Sequence, residues 1–136
     1  MAMKEYLFLY GTLLPEYAPD EIAREVRQLH HVGCASVRGR LYDLGQYPGA
    51  ILDASTGMKI YGQLFVLPTD QRILHALDTY EGFEPSNTKS SLFIRKNATV
   101  ALSDGRTVQC WVYVYNRDPG TAPLVSGGDY AKFQAA

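Results

Sequence analysis

Apolar and polar residues alternate over several short segments of this chain, a pattern that is typical of β-strands. The first segment, residues 5–10 (EYLFLY), is almost wholly apolar and ends at Gly11, which predicts a buried first strand. Similar patterns predict strands over residues 32–44, 50–53 and 59–67. Residues 91–102 and 107–116 flank the turn-forming Ser103-Asp104-Gly105, which predicts a long hairpin.

Two other segments carry apolar residues at helical spacing. Ile22, Val26 and Leu29 predict a helix over residues 19–30, with Pro19 as its first residue. His30 and His31 then fall near the end of that helix, where we expect them to cap it.

The second helix is predicted from Ile73, Leu74, Leu77 and Tyr80. It should begin after Asp70, a residue suited to the N-cap, and end near Glu81, with Gly82 just beyond.

These elements follow the order β-α-β-β-β-α-β-β, with short connections between neighbouring strands. That order favours an α+β fold, in which a small, mixed, curved sheet closes toward a barrel flanked by two main helices. We interpret residues 1–136 as a single domain with a core over about 5–116 and an irregular segment at 117–136.

The charge and the apolar pattern of the chain bear on its binding partners and its location. The 13 Lys and Arg residues nearly balance the 14 Asp and Glu residues, and this balance favours neither nucleic acid nor a membrane as partner. The sequence lacks a signal peptide or a long apolar run, so we expect a cytoplasmic protein.

Cys34 and Cys110 are expected to be buried thiols, although a disulfide between them is an open alternative. No CxxC, HExxH or Cys/His cluster occurs, so we expect neither a metal nor another cofactor.

Two positions carry candidate chemistry. The turn Tyr10-Gly11-Thr12-Leu13 follows the first strand, where consecutive backbone N–H groups can hold a carboxylate or an oxyanion; a plain strand exit is the alternative. Glu81 lies between aromatic residues at a helix end, and both surroundings favour its protonated form, as a general base requires. The alternative for Glu81 is an exposed carboxylate.

The neighbouring acidic residues Asp78 and Glu84 are more typical of solvent-exposed positions. The chain also contains ten Tyr. Tyr113 and Tyr115 share one face of the last strand with Trp111, and Tyr42 and Tyr47 lie around the loop at 45–49. Their rings either pack in the core or form a polar-tipped wall beside a ligand.

Four segments together resemble the γ-glutamylcyclotransferase-like family, in its small γ-glutamylamine cyclotransferase/AIG2-like branch. They are LFLYGTL at 7–13, VRGRLYDLGQYPGAIL at 37–52, LDTYEGF at 77–83 and WVYVY at 111–115. The resemblance implies a small mixed β-barrel with a cavity at its mouth. It also implies that Tyr10, Gly11, Thr12 and Leu13 bind a γ-glutamyl group and that Glu81 is the general acid and base. Tyr115, on the tyrosine-bearing face of the last strand, is a further candidate for binding the substrate.

One position departs from the family pattern. The strand after the EGF loop often begins with Tyr ahead of its Arg, whereas this chain has Phe93 ahead of Arg95. The missing hydroxyl bears on the choice of substrate more than on the reaction.

The expected reaction is the cyclisation of a small γ-glutamyl amine or amide to 5-oxoproline, with release of the amine. The substrate supplies the nucleophile, its own α-amino group, so the reaction needs no cofactor. Two alternatives stay open. One is a binding module that holds a small carboxylate or amino acid without turnover, and the other is a hydrolase acting on amide or ester bonds.

Overall fold

A computed structural model of the chain describes residues 4–135 and contains six strands and three helices, of which the strands and the first two helices follow the predicted order. The strands are β1 (Tyr6–Leu9), β2 (His30–Asp43), β3 (Pro48–Leu52), β4 (Lys59–Val66), β5 (Phe93–Leu102) and β6 (Thr107–Tyr115). The helices are α1 (Asp20–Val26), α2 (Gln71–Glu81) and α3 (Tyr130–Ala135), and short 3-10 turns occupy Thr88–Ser90 and Ser126–Gly128.

Five strands close into a mixed barrel, which confirms the predicted fold class. The sheet order is β3-β2-β4-β1-β6-β5, and a further pairing between β2 and β5 closes the ring. β1 runs parallel to β6, whereas the other pairs are antiparallel. β3 is the additional strand, paired with the second half of β2 outside the ring.

Strand alternation divides the apolar residues into two clusters. Phe8, Ile60 and Val112 belong to the cluster in which opposing barrel strands meet. Leu7 and Leu77 belong to a second cluster between the barrel and the helices, and all five side chains are fully buried. The interior of the barrel is therefore filled, and a ligand can bind only at its ends or sides.

The first helix is shorter than predicted. It ends at Val26, and the chain enters β2 at His30, so the prediction that His30 and His31 cap a helix was wrong. Leu29 is buried although it lies beyond the helix, because a tight turn from Val26 brings it back to the core. Pro19 is the N-cap and not the first helical residue.

The long strand β2 also corrects the prediction for one cysteine. Ala35 and Val37 face the core, so Cys34 falls on the exposed face of the strand. Cys110 is buried as expected, and both thiols are free. Burial raises the pKa of Cys110 to about 12.

The C-terminal segment is more ordered than predicted. It contains α3, and it also packs against the barrel through Val125, which is 1% exposed and donates its N–H to the Leu41 carbonyl. Leu124 forms a β-bridge with Tyr42. Over residues 4–135, no helix has the length and apolar character to cross a membrane.

Candidate active site

A cavity of about 220 Å³ opens where the ends of β1, β6 and α2 meet the beginnings of β3 and β5. Its lining consists of Phe8, Leu9, Tyr10, Gly11, Thr12, Leu13, Tyr47, Pro48, Tyr80, Glu81, Leu92, Phe93 and Tyr113. Among these residues Glu81 is the one carboxylate, and none is Lys, Arg or His. The cavity is smaller than the usual 300–1,000 Å³ of drug-sized sites, so it suits part of a metabolite.

The turn after β1 forms one wall and depends on glycine. A hydrogen bond from the Leu14 N–H to the Gly11 carbonyl, 2.9 Å long, closes this turn. A Cβ atom on Gly11 would lie 2.7 Å from Cγ of Pro48, too close for any other residue without displacing the first residue of β3.

Within this turn, two adjacent backbone donors have no partner. The N–H groups of Thr12 and Leu13 make no hydrogen bond to any residue that the structure describes. Both residues line the cavity, and the Leu13 side chain is 2% exposed. Adjacent unpaired N–H groups beside a cavity can bind a carboxylate or an oxyanion, so a polar ligand atom in the cavity is a suitable partner for them.

Glu81 reaches the cavity from the last position of α2. Gly82 ends the helix in the left-handed conformation, with φ of 75°, which glycine adopts without strain. The N–H of Phe83 then bonds to the Asp78 carbonyl at 2.8 Å, which completes the cap. This termination fixes the direction in which the Glu81 side chain leaves the helix.

Glu81 is half-buried in the lining of the cavity, where neighbouring protein atoms displace part of the water around its carboxyl. This burial raises its pKa from 4.5 to about 7. No hydrogen bond or ion pair joins its side chain to another described residue. The carboxyl is therefore free to exchange a proton with a ligand near neutral pH.

The hydroxyl of Tyr10 has a structural role. It donates to the Tyr113 carbonyl at 2.6 Å and accepts from the Ala50 N–H at 3.3 Å. Burial, with a further contribution from Glu81, raises the Tyr10 pKa far above its usual value. The Tyr10 ring lines the cavity, but its hydroxyl is occupied in joining β1, β3 and β6.

Asp78 is buried and not solvent-exposed, which corrects the prediction for this residue. It is 5% exposed and accepts hydrogen bonds from Nε and one Nη of Arg95, at 2.8 and 3.2 Å. The Tyr113 hydroxyl donates a third hydrogen bond to it at 2.6 Å. Arg95 in turn lies over the Trp111 ring, 4.3 Å from its centre.

These contacts form one chain through the walls of the cavity. It runs from Arg95 on β5 to Asp78 on α2, then through Tyr113 on β6 to Tyr10 at the end of β1. Asp78 lies one helical turn before Glu81, so the chain fixes the helix end that carries Glu81 relative to the turn that carries the free N–H groups. Burial raises the Tyr113 pKa, and the hydrogen bond that its hydroxyl donates to Asp78 raises it further.

The structure brings five of the six candidate residues together and leaves one outside. Glu81 and the run Tyr10 to Leu13 line the same cavity, whereas Tyr115 does not. The Tyr115 ring packs against Phe93, with 5.5 Å between ring centres, and Phe93 lines the cavity. Phe93, where the family pattern often has Tyr, therefore gives the wall an apolar surface.

Several lining residues were not predicted as site residues. Tyr47 was identified only as part of the tyrosine cluster, and its ring packs on Phe93 at 5.8 Å. Pro48 and Leu92 had no signal of their own, because apolar rim residues look like core residues in a sequence. The Gly-rich context of Pro48 is the one sign of a close backbone approach at this point.

The fold and the cavity together define a class of protein: a small α+β barrel in which a carboxyl group of raised pKa and unpaired backbone N–H groups line one cavity. The model of the gamma-glutamyl cyclotransferase, AIG2-like family matches residues 7–132. The chain belongs to this family, which confirms the resemblance found in the sequence.

Solved structures share the fold at low sequence identity. An AIG2-like protein from Mus musculus matches with a TM-score of 0.71 and 18% identity, over 95% of this chain and 89% of that one. A protein described as gamma-glutamyl cyclotransferase matches with a TM-score of 0.61 and 18% identity, over 91% and 73%. YkqA from Bacillus subtilis matches with a TM-score of 0.72 and 21% identity over 97% of this chain, which spans only 41% of YkqA. No curated protein sequence matches this chain significantly.

Proposed function

We propose that this protein converts a small γ-glutamyl amine or amide to 5-oxoproline and a free amine, with Glu81 as general base and general acid. One observation carries the proposal: a free carboxyl group with a pKa of about 7 shares a cavity of about 220 Å³ with the unpaired N–H groups of Thr12 and Leu13. Membership of the family supports the same reaction class.

Three features of the cavity suit a γ-glutamyl group: its backbone donors, its aromatic rings and its volume. Backbone donors at Thr12 and Leu13 bind oxygen atoms of this group, either its carboxylate or the oxyanion that forms at the γ-carbon. The rings of Tyr47 and Phe93 hold its methylene groups. The cavity has room for a glutamyl-sized group, so the leaving amine extends toward the opening.

In the reaction, the α-amino nitrogen attacks the γ-carbonyl carbon and forms the lactam C–N bond. The bond from that carbon to the leaving nitrogen then breaks. The α-ammonium group loses two protons in total, and the leaving nitrogen gains two to become a free ammonium group. Glu81 carries protons between the two nitrogens, a transfer for which a pKa near 7 is well matched.

The identity of the product tests this proposal against its alternatives. The protein is incubated with a panel of γ-glutamyl amines and dipeptides, and the products are identified by mass spectrometry. We expect 5-oxoproline. Free glutamate would establish a hydrolase instead, and ligand-induced thermal stabilisation without any product would establish a binding module.

A further inference from the structure

A second and larger cleft lies on the side of the barrel, where β2 separates from β5. β2 pairs with β5 only at Ala35 and Ser36, and from Gly39 onward the same edge of β2 pairs with β3 instead. The divergence leaves a cleft of about 550 Å³ between the end of β3 and the second half of β5. No residue lines both this cleft and the cavity that contains Glu81.

The inner part of the cleft is apolar. Val37 and Val100 are buried in the barrel core, and Leu52 and Ala98 pack against that core while remaining partly accessible. Thr99 and Thr107 contribute hydroxyl groups to the lining. The volume lies within the usual range of small-molecule sites.

The outer part of the cleft carries two cations without acidic partners. Arg38 and Lys59 occupy directly opposite positions on β2 and β4, and both are exposed lining residues. Like charges at opposite positions repel. Neither side chain forms an ion pair with a described residue, and the hydrogen bond from Arg38 to the Ala54 carbonyl is long, at 3.4 Å.

The one carboxylate in this lining is already paired. Asp53 accepts from the Arg40 guanidinium at 2.9 Å and from the Ser55 hydroxyl at 2.6 Å. Its hydrogen bonds with Ser55, followed by those with Arg40, lower the Asp53 pKa to about 2. The cleft is therefore locally positive on a chain whose formal net charge is -1.

We propose that this cleft binds a small organic acid, with its carboxylate between Arg38 and Lys59 and its apolar chain against the partly accessible side chains of Leu52 and Ala98. A bound anion would relieve the repulsion between the two cations, and the apolar inner surface would be covered at the same time. The proposal is independent of the reaction assigned to Glu81, since the two cavities share no residue.

The test uses hexanoate as the probe and NMR titration of the backbone amides in the full chain. We expect shifts confined to residues 36–38, 52–54, 59, 98–101 and 107, and a Kd at least ten-fold lower than that of hexan-1-ol or of inorganic phosphate. Hexan-1-ol has the chain without the charge, and phosphate has the charge without the chain. Equal binding of either control, or shifts centred on Thr12 and Glu81, would overturn the proposal.

A pair of double variants provides the second measurement. Arg38→Gln with Lys59→Gln should weaken hexanoate binding at least ten-fold. Arg27→Gln with Lys96→Gln removes the same charges from exposed positions outside the cleft and should leave binding unchanged. Equal affinity in both double variants would contradict the proposal, and the titration of the unaltered protein decides the matter if the first variant does not fold.

Discussion

Glu81 is the residue whose environment departs most from that of an ordinary carboxylate. Its carboxyl is partly removed from water without receiving a hydrogen bond from a described residue, and this desolvation raises its pKa to about 7. This arrangement costs stability whenever the group is ionised, because the unfolded chain ionises it near the usual value of 4.5. A residue that destabilises the fold at neutral pH in this way is typical of a functional site.

The cost of ionising Glu81 predicts a pH dependence of stability. Between pH 4.5 and 7 the folded state holds the Glu81 proton and the unfolded state has released it, so stability falls as pH rises through this window. The whole shift corresponds to an upper bound of roughly 3–4 kcal/mol, and the partial exposure of Glu81 makes the actual effect smaller. Urea unfolding at several pH values should show this decline in the natural chain and its loss in Glu81→Gln.

A matched control for this measurement is Glu84→Gln. Glu84 is exposed and lies three residues further along the chain. The Glu84→Gln variant should show the same fall in stability between pH 4.5 and 7 as the natural chain. A decline of equal size in Glu81→Gln would show that another group causes it.

The buried ion pair between Asp78 and Arg95 predicts a large effect on stability when one partner is replaced. Replacing Asp78 with Asn leaves the Arg95 guanidinium, whose side chain is 14% exposed, without its counter-charge. Breaking one side of a buried ion pair typically costs about 3–5 kcal/mol. We expect Asp78→Asn to lower the free energy of unfolding by this order, as measured by urea denaturation.

The exposed pair of Asp104 and Arg106 provides the comparison. Its geometry is similar, with 2.8 Å between the charged atoms, but both side chains are more than half exposed. Asp104→Asn should change the urea midpoint of unfolding very little. Similar losses in the two variants would contradict the role assigned to the buried pair.

At the scale of elements, the end of α2 determines where Glu81 points. Gly82 has a φ of 75°, and a side chain there would strain the backbone by about 1–2 kcal/mol. Gly82→Ala should therefore lower stability by this amount and reduce 5-oxoproline formation by displacing Glu81. Gly57→Ala is a suitable control, because open space surrounds Gly57 and its φ is unstrained. Full activity in Gly82→Ala would show that the helix end does not position the carboxyl.

The elements were largely predictable, because alternation and helical spacing are strong local signals. The strands of the hairpin from β5 to β6 follow the predicted segments closely, and Gly82 ends α2 as its sequence context indicated. The errors arose where tertiary contacts override local pattern. Leu29 continues the helical spacing of α1, but the chain turns into β2 instead.

The candidate site was predictable in part for the same reason. Glu81 and the turn from Tyr10 to Leu13 stand out because Gly residues and aromatic residues flank them. The ion pair of Asp78 with Arg95 joins residues on different elements, and no local pattern reveals such a partner. Tyr115 shares a strand face with Tyr113, but it does not line the cavity and packs against Phe93 instead.

At the scale of the whole molecule, the C-terminal segment completes the barrel core. Val125 is 1% exposed and belongs to the interior cluster, whereas Leu124 beside it is 43% exposed. Val125→Ala should lower the free energy of unfolding by about 2 kcal/mol, since it removes buried methyl groups from a packed core. Leu124→Ala should have a much smaller effect, and equal effects in thermal or urea unfolding would show that this segment does not pack as described.

The filled barrel and the cavity at its mouth lead to one central claim, that Glu81 performs proton transfer in the cyclisation. The most direct measurement is the initial rate of 5-oxoproline formation by the natural chain, Glu81→Gln and Glu84→Gln, with a γ-glutamyl substrate that the natural chain turns over. We predict that Glu81→Gln loses at least a hundred-fold in kcat/KM while staying folded, as expected for the loss of a general base. Glu84→Gln should match the natural chain, and a Glu81→Gln rate equal to that of the natural chain would contradict the account.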